Sequence, residues 1–131
     1  MKCKDLRLGN YIRYFDEEIG YQNLSIISVD ESYVMCWDKN EEIETIEESD
    51  LEPVKITQDF LLNLGFDEFG IDPVYNHFRF ELDDVIVHSF KEVHNLSEQI
   101  YLDFGSGIDI DYVHELQNLV YFIYGIELKF K

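Results

Sequence analysis

The sequence predicts an α+β protein whose N-terminal part is a small SH3-like β-barrel. Four or five short apolar segments, separated by turn residues, occupy the first 55 residues, which is typical of a small barrel. At residue 57 the hydrophobic period changes to that of a helix, and a second helical stripe begins near residue 113. We therefore expect residues 1–55 to form a β subdomain and residues 56–131 an α+β subdomain, packed as one continuous globular unit.

Alternating or apolar segments predict the strands of the N-terminal part. They are GNYIRYF (9–15), YQNLSIISV (21–29), SYVMCW (32–37) and IETIE (43–47). The two-residue step Asp30-Glu31 indicates a hairpin between the second and third strands. Pro53 restricts strand pairing and is predicted to close this region.

The C-terminal part is predicted to run helix-β-β-β-helix-β. Thr57 is the expected N-cap of the first helix, and Gly65 its left-handed C-terminal residue. Strands are predicted at 75–82, 85–90 and 99–104, with Asp83-Asp84 as the turn between the first two. Asp109 or Asp111 is expected to cap a second helix that ends at Gly125, and residues 126–130 to form a last strand. The apolar stripe of that helix is Val113, Leu116, Leu119, Val120 and Ile123.

Composition favours a globular protein in a reducing, cytoplasmic setting. The 131 residues suffice for one domain, and a hydrophobic content of 46% is far too high for a disordered chain. No apolar run approaches the ~18–20 residues of a membrane span, and no signal peptide is expected. Cys3 and Cys36 do not make a disulfide framework in a chain of this size.

The net charge of −18 is the most unusual property of the sequence, and it is unevenly distributed. Residues 16–90 contain 20 acidic and three basic residues, whereas residues 1–15 contain one acidic and four basic residues. Phosphate contact needs clustered Lys and Arg, and an anionic membrane repels an acidic protein. We therefore expect neither direct nucleic-acid binding nor membrane binding.

The segment HELQN (114–118) differs by one residue from the zinc-protease signature H-E-x-x-H. That signature needs a second histidine where this chain has Asn118, and asparagine is a very poor zinc ligand. His114, Asn118 and Tyr121 are instead predicted to lie on the helix face opposite the apolar stripe, where they form a secondary candidate surface. No zinc site is expected.

Other residues that could support catalysis or metal binding are scattered. His77 and His88 fall in the two strands of one predicted hairpin and could face each other, while His94 stands alone. GIDID (107–111) lacks the twelve-residue calcium loop and is better explained as an exposed strand leading to a helix cap. We therefore expect no catalytic residue, no metal and no cofactor.

The segment DKNEEIETIEESDLE (38–52) contains eight acidic residues and one basic residue. A solvated edge strand, whose charges prevent edge-to-edge pairing, explains this composition. An acidic surface that copies the spacing of nucleic-acid phosphates explains it as well. Repulsion among uncompensated acidic side chains lowers stability, and binding of a basic partner would give that cost a function. Both interpretations stay open. The candidate partner-binding residues are Glu41, Glu42, Glu44, Glu47, Glu48, Asp50, Asp83 and Asp84.

Three segments resemble a widespread family of short proteins encoded by phages and mobile elements of Bacteroidota. They are LRLGNYI (6–12), ITQDFLLNLGF (56–66) and YVHELQNLVYFIYGIEL (112–128), similar to the family's LRxGN start, TxxxLxxLGF helix and YVHxLQNLxxxxxGxEL C-terminus. The resemblance spans most of the chain. It implies a phage or mobile-element origin and no defined activity. The family commonly has Gln where this chain has Glu115, which argues against Glu115 as a catalytic base.

These observations together predict a small, non-enzymatic protein-binding module that acts in the host cytoplasm on a host or phage protein with a basic surface. One version is an anti-defence inhibitor that occupies a basic nucleic-acid channel. The alternative is an accessory structural or assembly protein of the phage particle, which docks through the SH3-like part or through Trp37, Tyr121 and Phe122. A small enzyme is the third hypothesis, and homodimerisation stays open under all three.

Overall fold

The computed structural model describes residues 1–38, 40–72, 77–91 and 98–130. The chain divides into two compact units, Met1–Val54 and Lys55–Lys131, and the predicted boundary follows residue 55. Each unit contains a five-stranded antiparallel sheet, and the C-terminal unit also contains two α-helices. The predicted α+β class is confirmed. The predicted SH3-like barrel is not confirmed, because the sheet formed by the described residues of the N-terminal unit does not close.

The N-terminal unit is an antiparallel meander with the strand order β4-β3-β2-β1-β5. Its strands are β1 Tyr11–Asp16, β2 Gly20–Val29, β3 Tyr33–Trp37, β4 Ile43–Glu47 and β5 Glu52–Pro53, and 3-10 turns lie at Cys3–Asp5 and Glu48–Asp50. The four strands predicted from the sequence are present. Strands β2 and β3 form the predicted hairpin, but three residues, 30–32, connect them in place of the predicted two-residue step, and Val29 pairs with Val34. Strand β5 has only two residues, since Pro53 has no N–H to donate to a ladder.

The hydrophobic core of the N-terminal unit lies on one face of its sheet. It contains Cys3, Leu6, Ile12, Leu24, Ile26, Val34, Cys36, Ile46 and Leu51. Because side chains alternate along a strand, Tyr14 and Asp16 share the face of buried Ile12. Across the β1–β2 pair, Tyr14 lies directly opposite Gln22. The end of this core face is therefore polar.

The C-terminal unit places five strands between two helices along the chain, with the sheet order β10-β9-β8-β7-β6. Its elements are α1 Gln58–Asn63, β6 Asp67–Asp72, β7 His77–Leu82, β8 Val85–Lys91, β9 Glu98–Phe104, β10 Ser106–Ile110 and α2 Val113–Tyr124. The exposed strand predicted within GIDID is present as β10, and Asp83-Asp84 forms the turn of the predicted hairpin. In the described part of the chain, neither helix is long and apolar enough to cross a membrane.

The predicted order helix-β-β-β-helix-β is wrong at three places, and one of them is β10, which was expected only as an exposed strand within GIDID and is missing from that order. Strand β6 was not predicted, because its pairing with β7 shifts register between Glu68 and Gly70 and this shift breaks the alternation. Residues 126–130 were predicted as a strand, but they form none. Leu128 is instead buried, and its carbonyl accepts a hydrogen bond from the Gln117 amide at 3.0 Å. The alternation in IELKF thus reflects packing of the tail: Leu128 is hydrogen-bonded to helix α2, and the Phe130 ring lies 5.4 Å from that of Phe60 in helix α1.

Local signals identify the ends of helix α1 correctly. The Thr57 hydroxyl accepts the N–H of Phe60 at 3.3 Å. At the other end Gly65 has φ +97°, and the N–H groups of Gly65 and Phe66 donate to the carbonyls of Leu62 and Leu61. This is the Schellman arrangement, which satisfies the last carbonyls of a helix.

The N-terminus of helix α2 differs from the prediction. Its N-cap residue is Tyr112, and neither Asp109 nor Asp111 has that position. The Glu115 carboxylate accepts the N–H of Tyr112 at 2.9 Å and that of Asp111 at 3.2 Å. A carboxylate at the third helical position therefore accepts the backbone N–H groups at the start of the helix, as in a capping box. Gly125 ends the helix with φ +70°, as predicted.

Candidate functional site

The HELQN segment is a structural part of helix α2. Glu115 caps the helix, Leu116 is fully buried, and the buried Gln117 amide anchors the C-terminal tail. No group of three or more His, Cys, Asp or Glu side chains in the described residues could hold a metal ion. The segment therefore maintains the fold of the C-terminal unit.

The prediction that His114 lies on an exposed helix face is wrong. His114 is only 8% exposed, and its ring stacks on that of Tyr112 with 5.9 Å between centroids. The buried arc of helix α2 includes two polar residues, His114 and Gln117, which a stripe drawn through apolar residues alone leaves out. Tyr121 is exposed and Asn118 is half-buried, so the secondary candidate surface is reduced to these two residues.

His77 and His88 do face each other across the β7–β8 hairpin. His77 Nε2 lies 2.6 Å from His88 Nδ1, and His88 Nε2 lies 3.1 Å from an Asp103 carboxylate oxygen. The rings of Phe90 and Tyr101 stack beside the two imidazoles, with centroid separations of 4.5 to 5.5 Å. This ladder of stacked rings stabilises one face of the sheet. His94 lies outside the described residues.

Both cysteine thiols are buried in the N-terminal unit and are poor nucleophiles. Burial, assisted by the negative charge of Glu44, raises the pKa of Cys36 to about 12. Burial is also the first cause of the raised pKa of Cys3, followed by its hydrogen bond with Glu48. Since the thiolate is the reactive form, neither cysteine is suited to covalent catalysis at neutral pH.

The eight acidic residues predicted to bind a partner do not come together. Glu44 and Glu47 lie on opposite faces of β4, because they are three positions apart and successive side chains of a strand alternate between its faces. The Glu48 carboxylate is already engaged: it accepts the N–H of Cys3 at 2.9 Å and lies 3.5 Å from the Lys2 ammonium. Asp83 and Asp84 form an exposed turn of the C-terminal unit.

Two of those eight residues, Glu44 and Asp50, lie near one aromatic side chain, Tyr14. Burial raises the pKa of the Tyr14 phenol, and the negative charges of Glu44, Asp16 and Asp50 raise it further. Glu41, Glu42 and Glu47 are exposed outside this cluster. The local concentration of negative charge is therefore centred on the end of strand β1.

A concave surface, here called the acidic cleft, lies beside the end of β1. Its volume is about 740 Å³. The last residues of β1 and the following turn form one wall, and the 3-10 turn Glu48–Asp50 and strand β5 form the other. The cleft is lined by Tyr14, Phe15, Asp16, Glu17, Glu18, Ser49, Asp50 and Glu52. Five of these eight side chains are carboxylates, so the surface attracts cations.

The cleft exists because β5 is short. Strand β5 pairs with β1 only at Ile12 and Arg13. The residues that precede β5 form the 3-10 turn Glu48–Asp50 and do not continue this pairing along β1. The aromatic residues Tyr14 and Phe15 are consequently left beside the gap, and Phe15 is 52% exposed.

A smaller cavity, here called the Gln22 cavity, adjoins the cleft. Its volume is about 30 Å³, and Tyr14 and Asp16 line both spaces. The remaining lining residues are Ile19, Gln22, Leu24, Asp38, Asn40 and Glu44. Gln22 is 6% exposed, and its Oε1 oxygen has no hydrogen-bond partner among the described residues.

No protein-family model, curated protein or solved structure matches this chain. The chemistry of the acidic cleft and the Gln22 cavity is accordingly the basis for a function.

Most residues of the site were not predicted from the sequence. Asp16, Glu17 and Glu18 lie between two predicted strands, and Tyr14 and Gln22 lie within them. The available signal was the order Tyr-Phe-Asp-Glu-Glu, in which two aromatic residues precede three acids at a strand end. The proximity of Asp50 was not visible, because it depends on the pairing of β5 with β1.

Proposed function

We propose that this protein is a non-enzymatic binding module whose N-terminal unit holds a basic segment of a partner protein in the acidic cleft. The observation that carries the proposal is the combination of five carboxylates with two aromatic rings around one concave surface. Its volume of about 740 Å³ is in the range of protein ligand sites, ~300–1,000 Å³.

The chemistry of the cleft suits lysine and arginine side chains. Carboxylates form charge-assisted hydrogen bonds with ammonium and guanidinium groups, and aromatic faces attract both cations. The protein itself contains such a contact, since the Arg13 guanidinium lies 3.6 Å from the centroid of the Tyr21 ring. Arg13 lies 3.9 Å from Glu52 at exposed positions, so it offsets little of the negative charge.

The net charge of −18 supports the same proposal, because a field of one sign accelerates encounter with an oppositely charged partner. The resemblance to phage and mobile-element proteins favours a host or phage protein in the host cytoplasm as that partner. We propose anti-defence inhibition, in which the acidic surface occupies a basic nucleic-acid channel, as the biological form of this binding. The meander with β5 returning to β1 is consistent with an open, SH3-like unit.

The proposal is tested by binding of a fluorescent decalysine peptide, measured by anisotropy in a salt series. The triple variant Glu17→Gln/Glu18→Gln/Asp50→Asn removes three charges from the cleft and is expected to weaken binding about tenfold or more. The matched control Glu41→Gln/Glu42→Gln/Glu47→Gln removes three exposed charges of the same unit outside the cleft and is expected to weaken binding by about threefold at most.

Equal losses in the two triple variants contradict binding in the cleft and indicate a diffuse charge effect. Affinity that does not change between ~50 and 500 mM salt contradicts an electrostatic mechanism altogether.

A role as an accessory structural or assembly protein is the second candidate. It is favoured by Tyr121 and Phe122, neighbours on helix α2 that are 41% and 75% exposed and in edge-to-face contact. Exposed aromatic pairs of this kind are typical of docking surfaces. Stoichiometric recovery of the protein in purified phage particles, lost in Phe122→Ser, is the expected result for this candidate.

A further inference from the structure

We infer that the Gln22 cavity receives the ammonium group of a lysine side chain from the basic partner. The inference rests on the proposed function and specifies it, because it assigns one position of the bound segment to lysine in preference to arginine.

The size of the cavity favours an ammonium group over a guanidinium group. The cavity, at about 30 Å³, is much smaller than the cleft, at about 740 Å³. An ammonium group is a compact point charge, whereas a guanidinium group is a broad planar fork. The open cleft can hold either cation, and the narrower cavity favours the more compact one.

Gln22 supplies the second, independent observation. Its side chain is nine-tenths buried in the wall of the cavity, and its Oε1 oxygen has no hydrogen-bond partner within the described part of the chain. Buried carbonyl oxygens are nearly always satisfied, since an unsatisfied one costs ~1–3 kcal/mol. A hydrogen-bond donor from outside the described residues is therefore expected at this oxygen.

Carboxylates around the cavity favour a donor with a positive charge. Asp16 is held in place by the N–H groups of Glu18 and Ile19, at 2.8 and 3.1 Å. Asp38 accepts the N–H groups of Asn40 and Glu42, at 2.8 and 2.9 Å. Both carboxylates are fixed by backbone groups, and Glu44 adds a third negative charge to the lining.

The remaining walls fit the aliphatic part of a lysine. Ile19, Leu24 and the ring of Tyr14 give the cavity apolar contacts for a methylene chain that enters from the cleft. A divalent metal fits less well, because it requires several ligands at about 2.0–2.6 Å, and the described acidic residues form no such set. An ammonium group needs only separate hydrogen bonds to Gln22 and to the surrounding carboxylates.

The experiment compares decalysine and decaarginine peptides on the wild type and on Gln22→Met. Methionine keeps the length of the side chain but removes the acceptor oxygen. Decalysine affinity is expected to fall roughly fivefold to tenfold and decaarginine affinity by less than about twofold. The thermal midpoint is expected to stay unchanged or to rise, because a buried unsatisfied group is removed. The matched control, Gln99→Met at an exposed strand position, is expected to change neither affinity.

If both peptides bind with salt dependence but Gln22→Met weakens them equally or not at all, the lysine assignment is overturned while the proposed function stands. If neither peptide binds, the proposed function fails and the cavity is tested directly. The nuclear magnetic resonance signal of the Gln22 side-chain amide is then followed with methylammonium, guanidinium and magnesium chlorides at matched ionic strength. A shift specific to methylammonium supports the inference, whereas no shift, an equal shift with guanidinium, or a stronger one with magnesium overturns it.

Discussion

The Glu115 carboxylate accepts the backbone N–H of Tyr112 at 2.9 Å, so the acidic residue of HELQN is the cap of its own helix. In a zinc protease the same residue type activates a water molecule, but here its oxygen is engaged by the backbone. A glutamine can accept the same hydrogen bond through its amide oxygen. The similarity to a catalytic motif therefore arises from the requirements of a helix N-terminus.

We predict that Glu115→Ala lowers the free energy of unfolding by about 1 kcal/mol, because the N–H groups of Asp111 and Tyr112 lose their acceptor. Glu115→Gln is expected to retain most of the stability. Urea denaturation followed by circular dichroism measures both. Asp109→Ala serves as the control, since Asp109 was expected to be the cap but lies in β10. A loss in Asp109→Ala as large as that in Glu115→Ala contradicts this assignment.

Gln117 is predicted to attach the C-terminal tail to helix α2. Gln117→Leu leaves the Leu128 carbonyl without this donor and is expected to destabilise the protein by about 1–2 kcal/mol. Hydrogen exchange is expected to accelerate in residues 126–130 more than in strand β9. Uniform acceleration throughout the C-terminal unit indicates instead that the substitution acts only on global stability.

Cys36 predicts a loss of stability at alkaline pH. Burial raises its pKa to about 12, so between pH ~9 and 12 the folded protein holds a proton that the unfolded chain releases. The unfolded state binds fewer protons, and the free energy of unfolding therefore falls as pH rises, by up to ~1.4 kcal/mol per pH unit. Denaturation of the wild type and of Cys36→Ala across this range is expected to show the steeper decline in the wild type. If the free energy of unfolding falls equally steeply with pH in both proteins, Cys36 is not the cause, and the decline is attributed to tyrosine ionisation.

The contacts of the His77–His88 pair predict which of two substitutions at His88 destabilises the protein more. His88→Phe keeps the ring stack with Tyr101 but removes the contacts to His77 and Asp103, whereas His88→Ala removes both kinds of interaction. We expect His88→Ala to lower the thermal midpoint more than His88→Phe, by the equivalent of about 1 kcal/mol. The reverse order means that the hydrogen bonds stabilise the sheet more than the stack does.

Features decided by neighbouring residues could be predicted from the sequence. The cap at Thr57, the left-handed Gly65 and the two-residue turn at Asp83-Asp84 follow from residues a few positions apart. Strand β6 could not be predicted, because a shift in register interrupts its alternation. His114 could not be placed either, since the prediction assigned every polar residue of the helix to solvent.

The candidate site was largely hidden for a different reason. The acidic run at 38–52 directed attention to the N-terminal unit, but only the sheet pairing shows which acids approach Tyr14. Glu44 arrives through β4 and Asp50 through the turn before β5, from positions at least 30 residues away in the chain. Composition reveals an excess of negative charge, whereas the place where acidic side chains cluster depends on the topology of the sheet.

The two-residue length of β5 also has a consequence for self-association. From Tyr14 onward β1 has β2 as its only strand partner among the described residues, so its outer edge offers backbone groups to any extended chain. Another copy brings its own carboxylates to Asp16, Glu17 and Glu18 and is repelled, while a chain rich in lysine is attracted. The exposed edge of β1 is thus expected to bind a basic chain and to repel a second copy of this acidic protein. Neutralising these acids is expected to open a route to self-association.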